Sequence, residues 1–477
     1  MSDFIQKLDN LAWGPVMLIL LVGTGVYMSI RLGFLQFGKF GYVMRNTVGK
    51  MFRKSTAGHG EITPMQALTT ALAATIGTGN IAGFTGAIFI GGPGAVFWMW
   101  IAALFGMLTK YSEVVLAVKY RERNEAGDWV GGPMYYIKNG MGKKWKWLGG
   151  LFCVLAALAA LGIGNATQVQ SIADAVNSAI DSFGGNTSGV MLTVLGSTFK
   201  LSTLIVAFII AAIVALVLVG GIKRIGKVTE KLVPFMAVVY ILAGLIVIIA
   251  NIRYVPQSLA MIVKGAFNAR AAIGGSVGGI TILLSMQKGV GRGCFSNEAG
   301  LGSAPMAHAA TSETDPVNQG LYGVFEVFMD TIVICTFTSL IVITSHCSGG
   351  INISWGAGGG ASDVSAAMGS ILGGKAGSLV VACCLTLFAL STVLSWSLYG
   401  SRCVEYLLGG KAAKIYTYFF IAFILVGATI SMEDAWTMAD ALNGFMAVPN
   451  LIALLSLSGV TVRCTREHFA IEKAKNR

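Results

Sequence analysis

Charge is what this chain has least of. Asp, Glu, Lys and Arg make up 12% of its 477 residues, about half the share of an ordinary soluble domain. Mean hydropathy is +0.72. No polar block is long enough to form a soluble domain, so the composition predicts a polytopic membrane protein. The eight cysteines never form a CxxC pair and mostly sit in apolar runs. That excludes a disulfide framework and a metal ribbon and leaves them as small packing residues. Only four histidines are present, His59, His308, His346 and His468, all in predicted loops or tails. There is no HExxH and no P-loop, and Gly77-x-Gly79-x-x-x-Gly83 has the wrong spacing for a dinucleotide turn. Gly274–Gly278 fits GxSxG, but that elbow requires a strand before it. An intramembrane hydrolase is therefore only a distant alternative. Residues 1–10 carry Asp3 and Asp9 against Lys7 alone, unlike the basic start of a secretory leader, so the first apolar run is predicted to be retained.

Long apolar runs are what the chain does have. Eleven are long enough to span a bilayer: 13–30, 66–90, 95–119, 147–177, 201–220, 229–251, a Gly-broken 259–290, 319–345, 377–408, 413–430 and 436–462. With the first large loop, 31–63, placed inside, the inner set holds 28 of the 34 Lys and Arg and the outer set 6. That bias places the N-terminus outside and the C-terminus in the cytoplasm of a plasma (inner) membrane protein. It accounts for the net charge of +12 without nucleic acid, and no obligatory protein partner is evident.

The run 66–90 is a poor helix at its centre. Gly77 and Gly79 each cost about 1 kcal/mol relative to Ala, and Thr75, Thr78 and Asn80 add polar groups at the same depth. An opened backbone in hydrocarbon survives only where protein or a watery cavity covers it. The run is predicted to unwind at the midplane. Residues 272–279, Ala-Ile-Gly-Gly-Ser-Val-Gly-Gly, break another apolar run five spans later. Two interrupted helices an odd number of spans apart run in opposite directions, the mark of an inverted-repeat transporter. The units would be 64–251 and 256–463, with 13–30 as an extra helix and 464–477 as a cytoplasmic tail. The predicted class is an all-α integral membrane protein of a single transport domain.

An unwound midplane can hold a zwitterion without charged side chains. Free N–H groups of a half-helix suit a carboxylate and free carbonyls suit an ammonium or Na⁺. Gly77, Thr78 and Gly79 are assigned to the carboxylate, and carbonyls around Ile273, Gly274, Gly275 and Ser276 to the amine. The competing reading is that these glycines serve close helix packing. Ser391 and Thr392 lie deep in 377–408; they either bond their own i−4 carbonyls or offer oxygen ligands to a hard cation. Asp330, one turn after Glu326, is mid-span, where a carboxylate costs about 2.5–3.5 kcal/mol. It could bind Na⁺, carry a proton or pair with a base; otherwise both acids reach water at the cytoplasmic surface. Gln168 or Gln170 could bond a ligand or a neighbouring helix, and Trp396 could wall the pocket or simply pack.

Four stretches carry a resemblance over nearly the whole chain: Gly77–Gly83 (GTGNIAG), Gly91–Trp100 (GGPGAVFWMW), Lys110–Glu113 with Val114–Arg121, and Phe295–Pro305 (FSNEAGLGSAP). They resemble the alanine or glycine:cation symporter family, whose fold is LeuT-type. The resemblance implies Na⁺-coupled symport of a small neutral amino acid, alanine or glycine among the candidates, by alternating access. It implies a Na⁺ site built from the carbonyls of Ala73 and Ile76, a carbonyl near Phe388, and the hydroxyls of Ser391 and Thr392. It aligns Asn80 with a side chain that serves a second Na⁺ site in relatives. Ser296–Pro305 is expected at the cytoplasmic side, as gate or scaffold. Ser276 stands where the family is expected to carry an aromatic residue, which implies a roomier pocket and a substrate such as serine or glutamine. A proton-coupled carrier using Asp330 or Glu326 is the nearest alternative.

Overall fold

The computed structural model describes residues 2–50, 58, 60–194, 197–267, 281–429 and 432–475. Among these, nine helices are long and apolar enough to cross a membrane, and a tenth span is a pair, Pro64–Thr75 and Gly79–Gly91, bent by 50°. The helices lie close to the predicted runs: Gly94–Lys119, Lys143–Ser182, Leu201–Leu218, Gly221–Ala250, Pro316–Cys347, Gly374–Leu408 and Gly410–Gly427. Two run longer than predicted. The first span starts at Phe4 rather than at residue 13, and the last helix runs on through residues 464–475.

Burial sorts the spans into core and rim. Gly94–Lys119 is the most enclosed, with 83% of its apolar window buried, against 33% for Leu201–Leu218 and 22% for Gly410–Gly427. The rim helices show stripes of exposed side chains at helical spacing, such as Phe235, Val238, Leu242, Ile246 and Ile249 on Gly221–Ala250. In water such a stripe would be a liability, whereas lipid tails accept it.

The seventh predicted run, 259–290, is described only at its two ends. Val255–Phe267 and Ile282–Asn297 both pack at the corner Gly91–Gly94: Gly265 meets Gly94, and Ser285 and Lys288 meet Gly91. Ile273, Gly274, Gly275 and Ser276 lie outside the described residues. The described break comes later. Ile282–Asn297 descends along Gly94–Lys119 and stops at Glu298, which sits in the left-handed region at φ 55°. Gly300 (φ 94°) and Gly302 (φ 84°) continue an irregular path, conformations only glycine adopts without strain. The chain resumes as the short helix Pro305–His308. Ser296–Pro305, expected at the cytoplasmic side as gate or scaffold, is fully buried in the bundle and leads to Ala310 and Ser312, which bond Ile62. Lys288 and Arg292, assigned inside, lie at the same end as Asp9 and Trp13. The reason for the error is physical: a polar stretch reads as a loop in sequence, but its charges are matched here by partners from distant spans.

Candidate functional site

The first break begins with a well-made helix. Thr63 caps Pro64–Thr75 reciprocally with Gln66, and Pro64 takes the first turn. The helix ends at Ile76, whose backbone (φ −80°, ψ 89°) leaves the helical region. Gly79–Gly83 resumes as a π-helical turn that runs into Phe84–Gly91. Between them the side chain of Asn80 folds back: Gly77 N–H donates to Asn80 Oδ1 at 2.8 Å. That donor, expected to face a carboxylate, is thus satisfied internally. Thr78 Oγ1 is buried without a partner among the described residues. Thr75 bonds back to the carbonyls of Ala71 and Leu72.

A cluster of oxygens from the ninth predicted span abuts this break. Ser391 Oγ lies 3.2 Å from Ala73 O and 2.8 Å from Phe388 O. Thr392 Oγ1 lies 3.1 Å from Ala73 O and 3.0 Å from Phe388 O. Two hydroxyls and two carbonyls from separate helices, all buried, form a set of hard donors without a charged member. The same spot explains Gly77, because a Cβ there would lie 2.6 Å from Thr392 Oγ1. Gln168 Oε1 is buried near that position and unpartnered among the described residues, while its Nε2 donates to Ile163 O at 2.9 Å. Gln170, two residues on in the same helix, is also buried. Trp396 packs against Gly164 and the Tyr399 ring.

A second polar cluster faces the opposite flank of the break. Asn80 Nδ2 donates to Asp330 Oδ1 at 2.6 Å and to Ser296 Oγ at 2.9 Å. Asp330 Oδ2 also accepts from Ser296 Oγ at 2.9 Å and Thr331 Oγ1 at 2.8 Å. Asp330 and Glu326 are both fully buried, so neither reaches water as the bland reading required. Glu326 pairs with Lys110 Nζ at 3.2 Å and His308 Nε2 at 3.0 Å. Ser296 was missed because its neighbours looked cytoplasmic. The usable signal was Gly300 and Gly302 beside a helix-breaking Pro305, with no Lys or Arg from Cys294 to Thr314.

The two ends of the bundle differ. Near the N-terminal end, a cavity of about 470 Å³ runs along Ala82, Gly83, Gly86 and Ile90, one face of the helix above the break. At the other end a cavity of about 990 Å³ opens among Glu122, Arg123, Asp128, Arg402 and Glu405, beside a band of contacts between loops. Ile62 N–H donates to Ala310 O at 3.0 Å and Ser312 N–H to Ile62 O at 2.8 Å. Arg121 donates to the carbonyls of Ala309, Thr311 and Glu313, and Trp129 is held between Arg121 and Arg123 at 4.3 and 4.1 Å.

The pattern of the Sodium:alanine symporter family matches residues 1–477. The chain is 44% identical to the sodium/alanine symporter AgcS of Methanococcus maripaludis over 481 residues, 99% of both chains. It is 34% identical to a probable sodium/glutamine symporter, GlnT, of Bacillus subtilis, covering 98% of this chain and 90% of that one. Its fold is that of the LeuT-type transporter MhsT, whose crystal structure with L-phenylalanine superposes at a TM-score of 0.57 and 14% identity, over 87% of this chain and 99% of that one. The chain is thus a transporter rather than an enzyme, and it belongs to the sodium:alanine symporter family.

Proposed function

We propose that the protein carries a small neutral amino acid into the cell together with Na⁺, with both solutes held at the first break. The observation that carries this reading is the convergence of Ala73 O, Phe388 O, Ser391 Oγ and Thr392 Oγ1 beside an opened helix. With the Ile76 carbonyl these would hold the cation. Thr78, Gly79 and Asn80 would take the amino acid's carboxylate, with Gln168 or Gln170 at its side. Asp330, with Asn80 and Ser296, is a second acidic oxygen cluster suited to a further cation or to a proton.

The span count supports this reading. Ile282–His308, broken at Glu298–Ala304, serves as the seventh crossing and brings the total to eleven. It runs opposite to the first broken span and meets it at Asn80 and Ser296. Two inverted five-span units, 64–251 and 256–463, follow from that crossing. The N-terminal end, with the 470 Å³ cavity, is then the outside, and the C-terminus lies in the cytoplasm of the plasma membrane.

In this mechanism Na⁺ first ties Ala73 to Ser391 and Thr392 and rigidifies the break. The amino acid docks next, the outer side closes, and the contacts of Ile62, Arg121 and Trp129 release on the inner side. Each net positive charge moved inward gains about 2.3 kcal/mol per 100 mV. Uptake into proteoliposomes across a panel of amino acids, with a Na⁺ gradient or a pH gradient alone, tests the reading. Na⁺-driven uptake is expected. Uptake driven by pH without Na⁺ would favour proton coupling through Asp330 or Glu326. Competition by glutamine and serine comparable to alanine would support the roomier pocket drawn from Ser276; a wide margin for alanine and glycine would refute it.

A further inference from the structure

The helix outside the two five-span units reaches the site. Trp13 Nε1 donates to Asp440 O at 2.9 Å, and its ring centroid lies 6.1 Å from that of Phe295. Ala12 is pressed onto the last helix so tightly that a Cβ at Gly444 would lie 2.9 Å from Ala12 Cβ. Phe295 stands between Trp13 and the first break, its ring edge 3.7 Å from where a Cβ at Gly79 would be. The Arg292 guanidinium lies 5.0 Å from the Phe295 ring centroid and pairs with Asp440 Oδ2 at 3.1 Å. Arg292 and Lys288 line both the 470 Å³ cavity and a second one of about 310 Å³ that Asp9, Trp13 and Asp440 share. These two side chains are the partition between the spaces.

We propose that Trp13 is a positioning residue for the amino-acid site: the extra helix holds Phe295 as a lid over Gly79, with the Arg292–Asp440 pair as its latch. The physical reasons are local. A ring held on one side by the tilted indole of Trp13 and at its face by a guanidinium has one favoured orientation. Without Trp13 the ring can turn off Gly79 and open a path from the break to the outer cavity. The extra helix is then a working part of the outer gate. The inference rests on the reading that the amino acid binds at Thr78–Asn80.

The test uses the full chain in proteoliposomes with radiolabelled L-alanine and saturating Na⁺. Trp13→Ala, Trp13→Phe, Phe295→Ala and the double variant Trp13→Ala/Phe295→Ala are compared with Ile19→Ala, a change at a side chain of the same span that is 70% exposed. Trp13→Ala and Phe295→Ala are each expected to raise KM and the alanine dissociation rate about tenfold, the upper end of one aromatic contact, with kcat within twofold. The double variant is expected to be no worse than either single one, Trp13→Phe to recover most of the loss, and Ile19→Ala to match wild type. If Trp13→Ala does not fold, Trp13→Leu fills the space without the indole and should show the same faster release. Wild-type dissociation in Trp13→Ala or Trp13→Leu, equal effects from Ile19→Ala, or additive effects in the double variant would overturn the proposal. Faster release in Phe295→Ala alone would remove the role of the extra helix and leave the site in place. No change in Phe295→Ala would mean that the amino acid does not sit beneath that ring, and the site reading itself would fall.

Discussion

The two breaks solve one problem with opposite chemistry. At Ile76–Thr78 the opened backbone itself meets neutral groups, an amide, hydroxyls and carbonyls, with the Asp330 carboxylate one side chain removed behind Asn80. At Glu298–Ala304 it is lined by charge. Gly300 and Gly302 N–H both donate to Glu113 Oε1 at 3.1 Å, and Asn450 Nδ2 donates to the same oxygen at 2.5 Å. Asn450 also accepts from Tyr136 OH and donates to Gly300 O, and Ser303 Oγ donates to Glu298 Oε2. The second break therefore carries its own carboxylate where a solute's would otherwise go. A neutral break can exchange its ligand, whereas a break filled by a buried side chain is a fixed bend.

The comparison can be broken most severely at Glu113. Glu113→Ala strands three donors, each costing about 1–3 kcal/mol when buried unpaired. It should lower the melting temperature in detergent by far more than Asn80→Ala, which strands Gly77 N–H alone at the backbone. Equal melting would mean that the second break is as adaptable as the first. A smaller effect, in function rather than stability, is expected from Ser391→Ala with Thr392→Ala. The Na⁺ concentration for half-maximal uptake should rise tenfold or more, about 1.4 kcal/mol, while the order of preferred amino acids stays unchanged. Wild-type Na⁺ activation would show that the cation sits elsewhere. The smallest contrast lies within the first break. Gly77→Ala puts a Cβ 2.6 Å from Thr392 Oγ1 and should impair Na⁺-dependent uptake, whereas at Gly79 the nearest atom is 3.7 Å away and Gly79→Ala should keep its folding stability within about 0.5 kcal/mol of wild type.

These two regions also mark what the sequence could reveal. Gly77, Thr78, Gly79 and Asn80 stand out because they interrupt an apolar run, a local signal that needs no partner to be read. The Ser391–Thr392 pair was visible as adjacent hydroxyls; both bond back to Phe388 O, as the packing reading expects, and the sequence could not show that Ala73 O lies opposite. The break expected at 272–279 lies outside the described residues, while the irregular stretch Glu298–Ala304 went unmarked, because glycine density marks weak helices while charge marks loops. Glu113 and Lys110 on one span, Glu298 and His308 on another and Glu326 on a third gain meaning only when folding brings them together. Their sequence separation hides that pairing.

The last helix gives this arrangement a mechanical reading. Thr437–Lys475 spans 39 residues, about 58 Å at 1.5 Å per residue, nearly twice the hydrocarbon thickness of a bilayer. Near one tip, Asp440 is tied to Trp13 and Arg292; near the other, His468 is tied to Tyr42 and Asp315. Between them Pro449 interrupts the hydrogen-bond ladder beside Asn450, which is anchored to Glu113. A beam pinned at its centre and tethered at both tips behaves as a seesaw, so a tilt that tightens the grip at Asp440 slackens the one at His468.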